Sequence, residues 1–115
     1  MRRFTTASLA LTIAATGIVT GALAVAAQDG SDLKIGVVTD VGTIDDRNFN
    51  QYTWEGAVAG AEAVGAAEPQ YAISAQSADI GPNIQAFVDQ GYDVIVTVGF
   101  AAGADTINAA LANPD

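Results

Sequence analysis

Leu33-Lys34-Ile35-Gly36-Val37-Val38-Thr39 is a nearly continuous apolar run that halts at the carboxylate of Asp40, crosses a polar loop and gives way to helical spacing from about residue 48. A strand that is apolar on both faces needs cover on both faces, which is the situation of a parallel sheet between helix layers. The stretch therefore predicts a strand, loop and helix of an α/β fold. In the helix, expected over about residues 48–64, Trp54, Ala57, Val58, Ala61 and Val64 recur on one face, while Gln51, Glu55 and Glu62 fall on the wet side. Asp46 or Asn48 is placed to cap its free N–H groups, and Gly65 to end it in a left-handed conformation. Gly56 and Gly60 each cost about 1 kcal/mol relative to Ala inside a helix. Close packing on the sheet is the expected compensation.

The same alternation is then repeated. Residues 70–75 set Tyr71, Ile73 and Ala75 against Gln70, Ala72 and Ser74, the pattern of an edge strand with one wetter face. Pro82 opens a second helix whose inner face is Ile84, Phe87 and Val88 and which closes at Gly91. Val94-Ile95-Val96-Thr97-Val98 is the strongest candidate for a buried strand, and a third helix over about residues 102–112 uses Ile107, Ala110 and Leu111 before Pro114 stops it. Three strand–helix units with short links imply right-handed crossovers and a three-layer parallel sheet. The two most apolar strands should be neighbours, giving the order two, one, three.

In an open sheet of that order, ligands bind beyond the carboxyl ends of the strands, where the order reverses. That point lies between residues 40–50 and Gly99-Phe100, so Asp40, Asp46, Phe49, Asn50, Gly99 and Phe100 are the candidate ligand-binding residues. A carboxylate at Asp40 would take charge-assisted hydrogen bonds from ligand hydroxyl or amino groups. The ring of Phe49 offers a stacking face, worth about 1–3 kcal/mol for a base. Asn50 carries a donor and an acceptor on one amide, the pair that matches a purine edge. Each residue also has a purely structural duty open to it: Asp40 could satisfy loop N–H groups, Asp45 and Asp46 could cap, Phe49 could staple the helix start, Gly99 could permit backbone approach and Phe100 could anchor a loop. Trp54 reads as core rather than as a ligand contact.

Met1-Arg2-Arg3 followed by the uncharged residues 4–27, ending in Ala24-Val25-Ala26-Ala27, has the layout of a Sec-type secretory signal peptide cleaved near Ala26 or Ala27. The run also exceeds the roughly 20 apolar residues that span a bilayer, so an uncleaved anchor is the alternative. Beyond it, Lys34 and Arg47 stand against 13 acids, a net charge of −11. Such a surface repels nucleic acid and anionic lipid, and solubility or adaptation to salt is its plain explanation. The lack of cysteine argues against a disulfide framework, a thiolate metal site and a cysteine nucleophile, and the lack of histidine removes Ser/His and Cys/His catalysis from these residues. Val41-Gly42-Thr43-Ile44-Asp45-Asp46 also lacks the glycine spacing of a dinucleotide loop.

Asp40, Ile44-Asp45-Asp46, Phe49-Asn50-Gln51 and Trp54-Glu55-Gly56, followed at a fitting distance by Gly91-Tyr92-Asp93-Val94-Ile95-Val96-Thr97-Val98-Gly99-Phe100, resemble the signature of the basic membrane protein family. These are substrate-binding components of ABC importers, of which the purine nucleoside receptors are the best understood branch. The resemblance implies a periplasmic-binding-protein-like lobe, incomplete here, with residues 1–27 as signal peptide and residues 28–115 as the first part of lobe one. It implies a purine nucleoside ligand, with Asp40, Phe49 and Asn50 as base-side and polar contacts and the ribose contacts supplied from beyond residue 115. It further implies ABC permease and ATPase partners, no cofactor, no enzymatic activity, and export to the periplasm or the outer face of the plasma membrane, with membrane association through the transporter. Family members are often tethered through a cysteine after the signal, which this chain lacks. Two other readings are a sensory module feeding a membrane receptor and a Mg²⁺-dependent phosphoryl enzyme built on Asp40, Asp45 and Asp46. For the enzyme, no nucleophile-and-base pair completes the site.

Overall fold

The computed structural model describes residues 30–114. The expected signal segment, residues 1–27, lies outside them. Strands β1 (Ile35–Val41), β2 (Gln70–Ser74) and β3 (Val94–Thr97) alternate with helices α1 (Phe49–Val64), α2 (Ile80–Asp89) and α3 (Gly103–Ala112). Short 3-10 turns at Gly30–Asp32, Ser77–Asp79 and Phe100–Ala102 precede β1, α2 and α3. The sheet is parallel throughout, in the order β2-β1-β3, as expected from the apolar runs and the short links.

The core lies where α2 crosses β1. Val38, Ile80, Ile84, Phe87 and Ala102 are buried together, with Ala72, Val88, Tyr92, Ile95 and Ala109 packed around them. Gly36 lets α2 approach: a Cβ there would meet the Phe87 ring at 3.0 Å. Phe87 and Tyr92 pack ring against ring with centroids 4.5 Å apart. At the opposite end of β1 from the switch point, the Lys34 N–H donates to the Asp93 carboxylate at 2.8 Å and its ammonium donates to the Gln90 carbonyl at 3.1 Å. These bonds tie the start of β1 to the residue before β3 and to the end of α2.

Several expectations need correction. Asp40 does not end the first strand, which continues through Val41. On α1, Ala61 is buried and Trp54 packs edge-on against Tyr71 with centroids 5.0 Å apart, but Val64 is exposed. Gly56 and Gly60 are not pressed on the sheet: both are exposed, and a Cβ at either would meet nothing within 4 Å. On β2, the alternation is real but the larger residues, Tyr71 and Ile73, face outward while Ser74 is buried. Strand β3 is not the most buried strand; Val94 is exposed and Ile95 to Thr97 are half-buried, because β3 pairs only with β1 among the described residues. Helix α3 turns Thr106 and Ala109 inward and leaves Ile107, Ala110 and Leu111 exposed. The span of the helix, Gly103–Ala112, shortly before Pro114, does follow the expected reading.

Candidate functional site

The carboxyl ends of β1 and β3 lie side by side. Register runs from Ile35↔Val94 to Val38↔Thr97, and the Val98 N–H continues it to the Val38 carbonyl at 3.0 Å. This pairing brings Asp40 against Gly99, so tightly that a Cβ on Gly99 would sit 2.6 Å from Asp40 Cγ. Gly99 adopts φ 83° and ψ 168°, a combination essentially confined to glycine. Two residue choices therefore make one contact: a carboxylate at the end of one strand and a missing side chain on the next.

The backbone at Asp40 leaves regular sheet geometry. Val38 pairs with Ala72 but Val41 pairs with Ser74, so β1 carries one more residue than β2 across this step. Bulges of this kind re-aim a side chain. Here the Asp40 N–H is taken by Asn50 Oδ1 at 2.9 Å, and Asp40 Oδ1 accepts from the Val41 N–H at 2.8 Å. Asn50 is only 2% exposed, and its amide nitrogen lies close to Gly42. Thr39, fully buried, donates its hydroxyl hydrogen to the Gly42 carbonyl at 3.2 Å and accepts from the Ser74 N–H at 2.9 Å. The Gly42 N–H in turn reaches the Ser74 carbonyl at 3.2 Å.

The loop after β1 is held by side chains acting on backbone. Asp45 accepts from the Thr43 hydroxyl. Asp46 Oδ1 accepts the N–H groups of Asn48 at 2.8 Å and Gln51 at 3.1 Å, and so caps α1, while Asn48 makes no such bond. Partial desolvation raises the Asp46 pKa, but the N–H groups of Gln51, Asn48 and Asn50, with the Asn50 side chain, outweigh it and hold the carboxyl below its ordinary range. Arg47 takes a positive φ of 57°, with its N–H held by Gln51 Oε1 at 3.0 Å. Such a φ is uncommon away from glycine and is tolerated where surrounding bonds over-determine it.

Phe49, at the first turn of α1 beside Asn50, is 68% exposed, and Phe100 is fully exposed in the 3-10 turn that follows β3. Neither ring is spent on the core. The structure thus joins Asp40, Asn50 and Gly99 in one contact set, gives Asp46 to the helix cap, and leaves two aromatic rings open to solvent, Phe49 at the start of α1 and Phe100 in the 3-10 turn after β3. Asp40, Asp45 and Asp46 each serve a different partner, and among the described residues no three acids, histidines or cysteines gather at metal-binding distance. A depression of about 530 Å³ lined by Ile84, Tyr92, Ile95, Thr97, Thr106 and Ala109 runs beside β3 and α3 and includes none of Asp40, Asn50, Gly99 or the two exposed rings. Its two threonine hydroxyls meet at 2.8 Å, and Thr106 donates to the Ala102 carbonyl at 2.7 Å. At the strand ends, by contrast, several polar groups converge, an arrangement able to orient a ligand.

Thr39, Gly42 and Ser74 are not among the residues that the sequence singles out. The available signal is a hydroxyl immediately before the strand-end acid in an otherwise aliphatic run. Among the described residues no helix is long and apolar enough to cross a membrane.

Residues 33–115 match the family model described as ABC transporter substrate-binding protein PnrA-like, Bmp. The chain is 35% identical over 108 residues to a CD4+ T-cell-stimulating antigen of Listeria innocua, covering 83% of this chain and 30% of that protein, and 34% identical to its Listeria monocytogenes counterpart over the same shares. It is 32% identical over 87 residues to the ABC transporter nucleoside-binding protein BmpA of Lactococcus lactis, covering 73% of this chain and 25% of the relative. The chain spans less than a third of the length of these relatives. By its family match and by a sheet order that sets both signature motifs at one strand crossover, the chain belongs to the Bmp family of PnrA-like ABC transporter substrate-binding proteins.

Proposed function

We propose that the complete protein is an extracytoplasmic receptor that binds purine nucleosides and delivers them to an ABC permease and its ATPase. In this reading residues 1–27 direct export and are removed, residues 28–115 form the first part of one lobe, and ligand closes a second lobe over the strand ends. Asp40 takes hydrogen bonds from ligand donors, and Phe49 stacks on the base. Asn50 holds the edge of the site, Gly99 and Phe100 form the facing rim, and Asp46 fixes the loop between them.

The observation that carries the proposal is the half-buried Asp40 carboxylate lodged against Gly99 at the sheet's crossover point, with the exposed Phe49 ring one residue from its hydrogen-bond partner Asn50. Membership of a transporter substrate-binding family and the name of the Lactococcus relative support the same ligand class. Titration calorimetry of the complete protein with inosine, adenosine and guanosine tests it. Phe49→Ala should weaken binding from about five-fold to over a hundred-fold, the loss of one stacking contact. Unchanged affinity in that variant would remove Phe49 from the site, and no binding by the parent protein would remove the nucleoside assignment.

A further inference from the structure

Parallel β1 and β2 lose their regular ladder where β1 gains a residue, between Val38 and Val41. A bulge frees backbone donors and acceptors that a buried site cannot leave unpaired. Two side chains take up the freed groups. Asn50 accepts the Asp40 N–H, and the Thr39 hydroxyl stands in for a ladder carbonyl by accepting the Ser74 N–H while donating to Gly42. Ser74 is itself fully buried and receives the Asn83 amide of α2 at 3.2 Å. Among the described residues no buried side-chain nitrogen or oxygen lacks a partner, so the side chains recruited to the bulge are all satisfied.

We infer that Thr39 is a positioning residue of the ligand site: its hydroxyl locks the bulge that turns Asp40 toward Gly99. This rests on the nucleoside-receptor reading above for the ligand, but not for the lock itself. A γ-methyl group and a hydroxyl occupy nearly the same volume, so replacing Thr39 with valine removes the hydrogen bonds while keeping the shape. Valine fits the space and leaves the Ser74 N–H and the Gly42 carbonyl without their partner. The chain from Asp40 onward would then be free to return to regular pairing, which carries the Asp40 carboxylate off Gly99.

The test uses the complete protein with Thr39→Val and Thr39→Ser, each also combined with Asp40→Asn. Inosine is the probe, with affinity read by calorimetry and the unliganded loop read by hydrogen exchange. Thr39→Val should bind about ten-fold more weakly, the effect of leaving one buried polar pair unmade, and exchange should quicken in peptides covering residues 40–46 while β3 stays protected. Thr39→Ser keeps the hydroxyl and should stay within about three-fold of the parent. In the Asp40→Asn background, Thr39→Val should cost little further affinity, because residues acting through one another are not additive.

The inference is overturned by an equal loss in the serine and valine variants, by full additivity with Asp40→Asn, or by unchanged exchange at residues 40–46. If Thr39→Val does not fold, a ten-fold loss in Thr39→Ser still overturns it. If the parent protein binds no nucleoside, the functional reading fails and the exchange comparison alone decides the lock.

Discussion

Gly99 is the most demanding position in the site, and replacing it with alanine separates two costs. The new Cβ would lie 2.6 Å from Asp40 Cγ and 3.0 Å from Asp40 Cβ, well inside the roughly 3.5 Å at which carbon atoms rest against one another. The carboxylate must swing away or the end of β3 must move. The backbone cost is separate: at φ 83° and ψ 168°, a residue with a side chain is strained by about 1–3 kcal/mol. Urea unfolding of the complete protein should therefore show Gly99→Ala less stable by about that amount. A hydrogen bond from ligand to the displaced carboxylate contributes about 1.5–3 kcal/mol, so calorimetry should show affinity for a purine nucleoside falling about ten- to hundred-fold. Asp40→Asn should reproduce much of the affinity loss with little of the stability loss. Should Gly99→Ala lose stability yet keep its affinity within about two-fold, the aim of Asp40 would be irrelevant to binding. The reasoning that places the ligand at the strand crossover would fail with it.

Gly56→Ala and Gly60→Ala should each stabilise the protein by about 0.5–1 kcal/mol in urea unfolding, since both positions are open and helical; destabilisation would show that the outer face of α1 is covered in the complete protein. Asp46 should make stability depend on pH. Its folded pKa is depressed, so its contribution is fully present above the ordinary carboxylate pKa and disappears as pH falls through the lower, folded value. The stability gap between the parent and Asp46→Ala should narrow on acidification, and a gap constant down to strongly acidic pH would contradict the capping role.

Much of the architecture is legible in the residue pattern. The apolar runs around Val37 and Val96 and the short links between elements are enough to set the order β2-β1-β3, because right-handed crossovers leave few other arrangements. That order brings the carboxyl ends of β1 and β3 side by side, and the cap at Asp46 and the left-handed Gly65, with φ 72°, follow from local chemistry. Burial is harder to read. Ile107 and Leu111 have helical spacing with the right composition for a core face, yet Thr106 and Ala109 face inward, with the Thr97 and Thr106 hydroxyls meeting at 2.8 Å across β3 and α3. Periodicity identifies a stripe but not which neighbour, if any, covers it.

What the amino-acid order determined by itself was therefore the identity and succession of the elements, the caps and the strand ends at which polar groups collect. Those depend on interactions within a few residues or on the period of hydrophobicity. What only the tertiary structure decided was the extra residue in β1, the diversion of the Asn50 amide to the Asp40 backbone, and the closing of that bulge by Thr39 and Ser74. These pair groups as many as 35 positions apart in the chain, and a hydrogen bond between distant residues exists only once the sheet has brought them together.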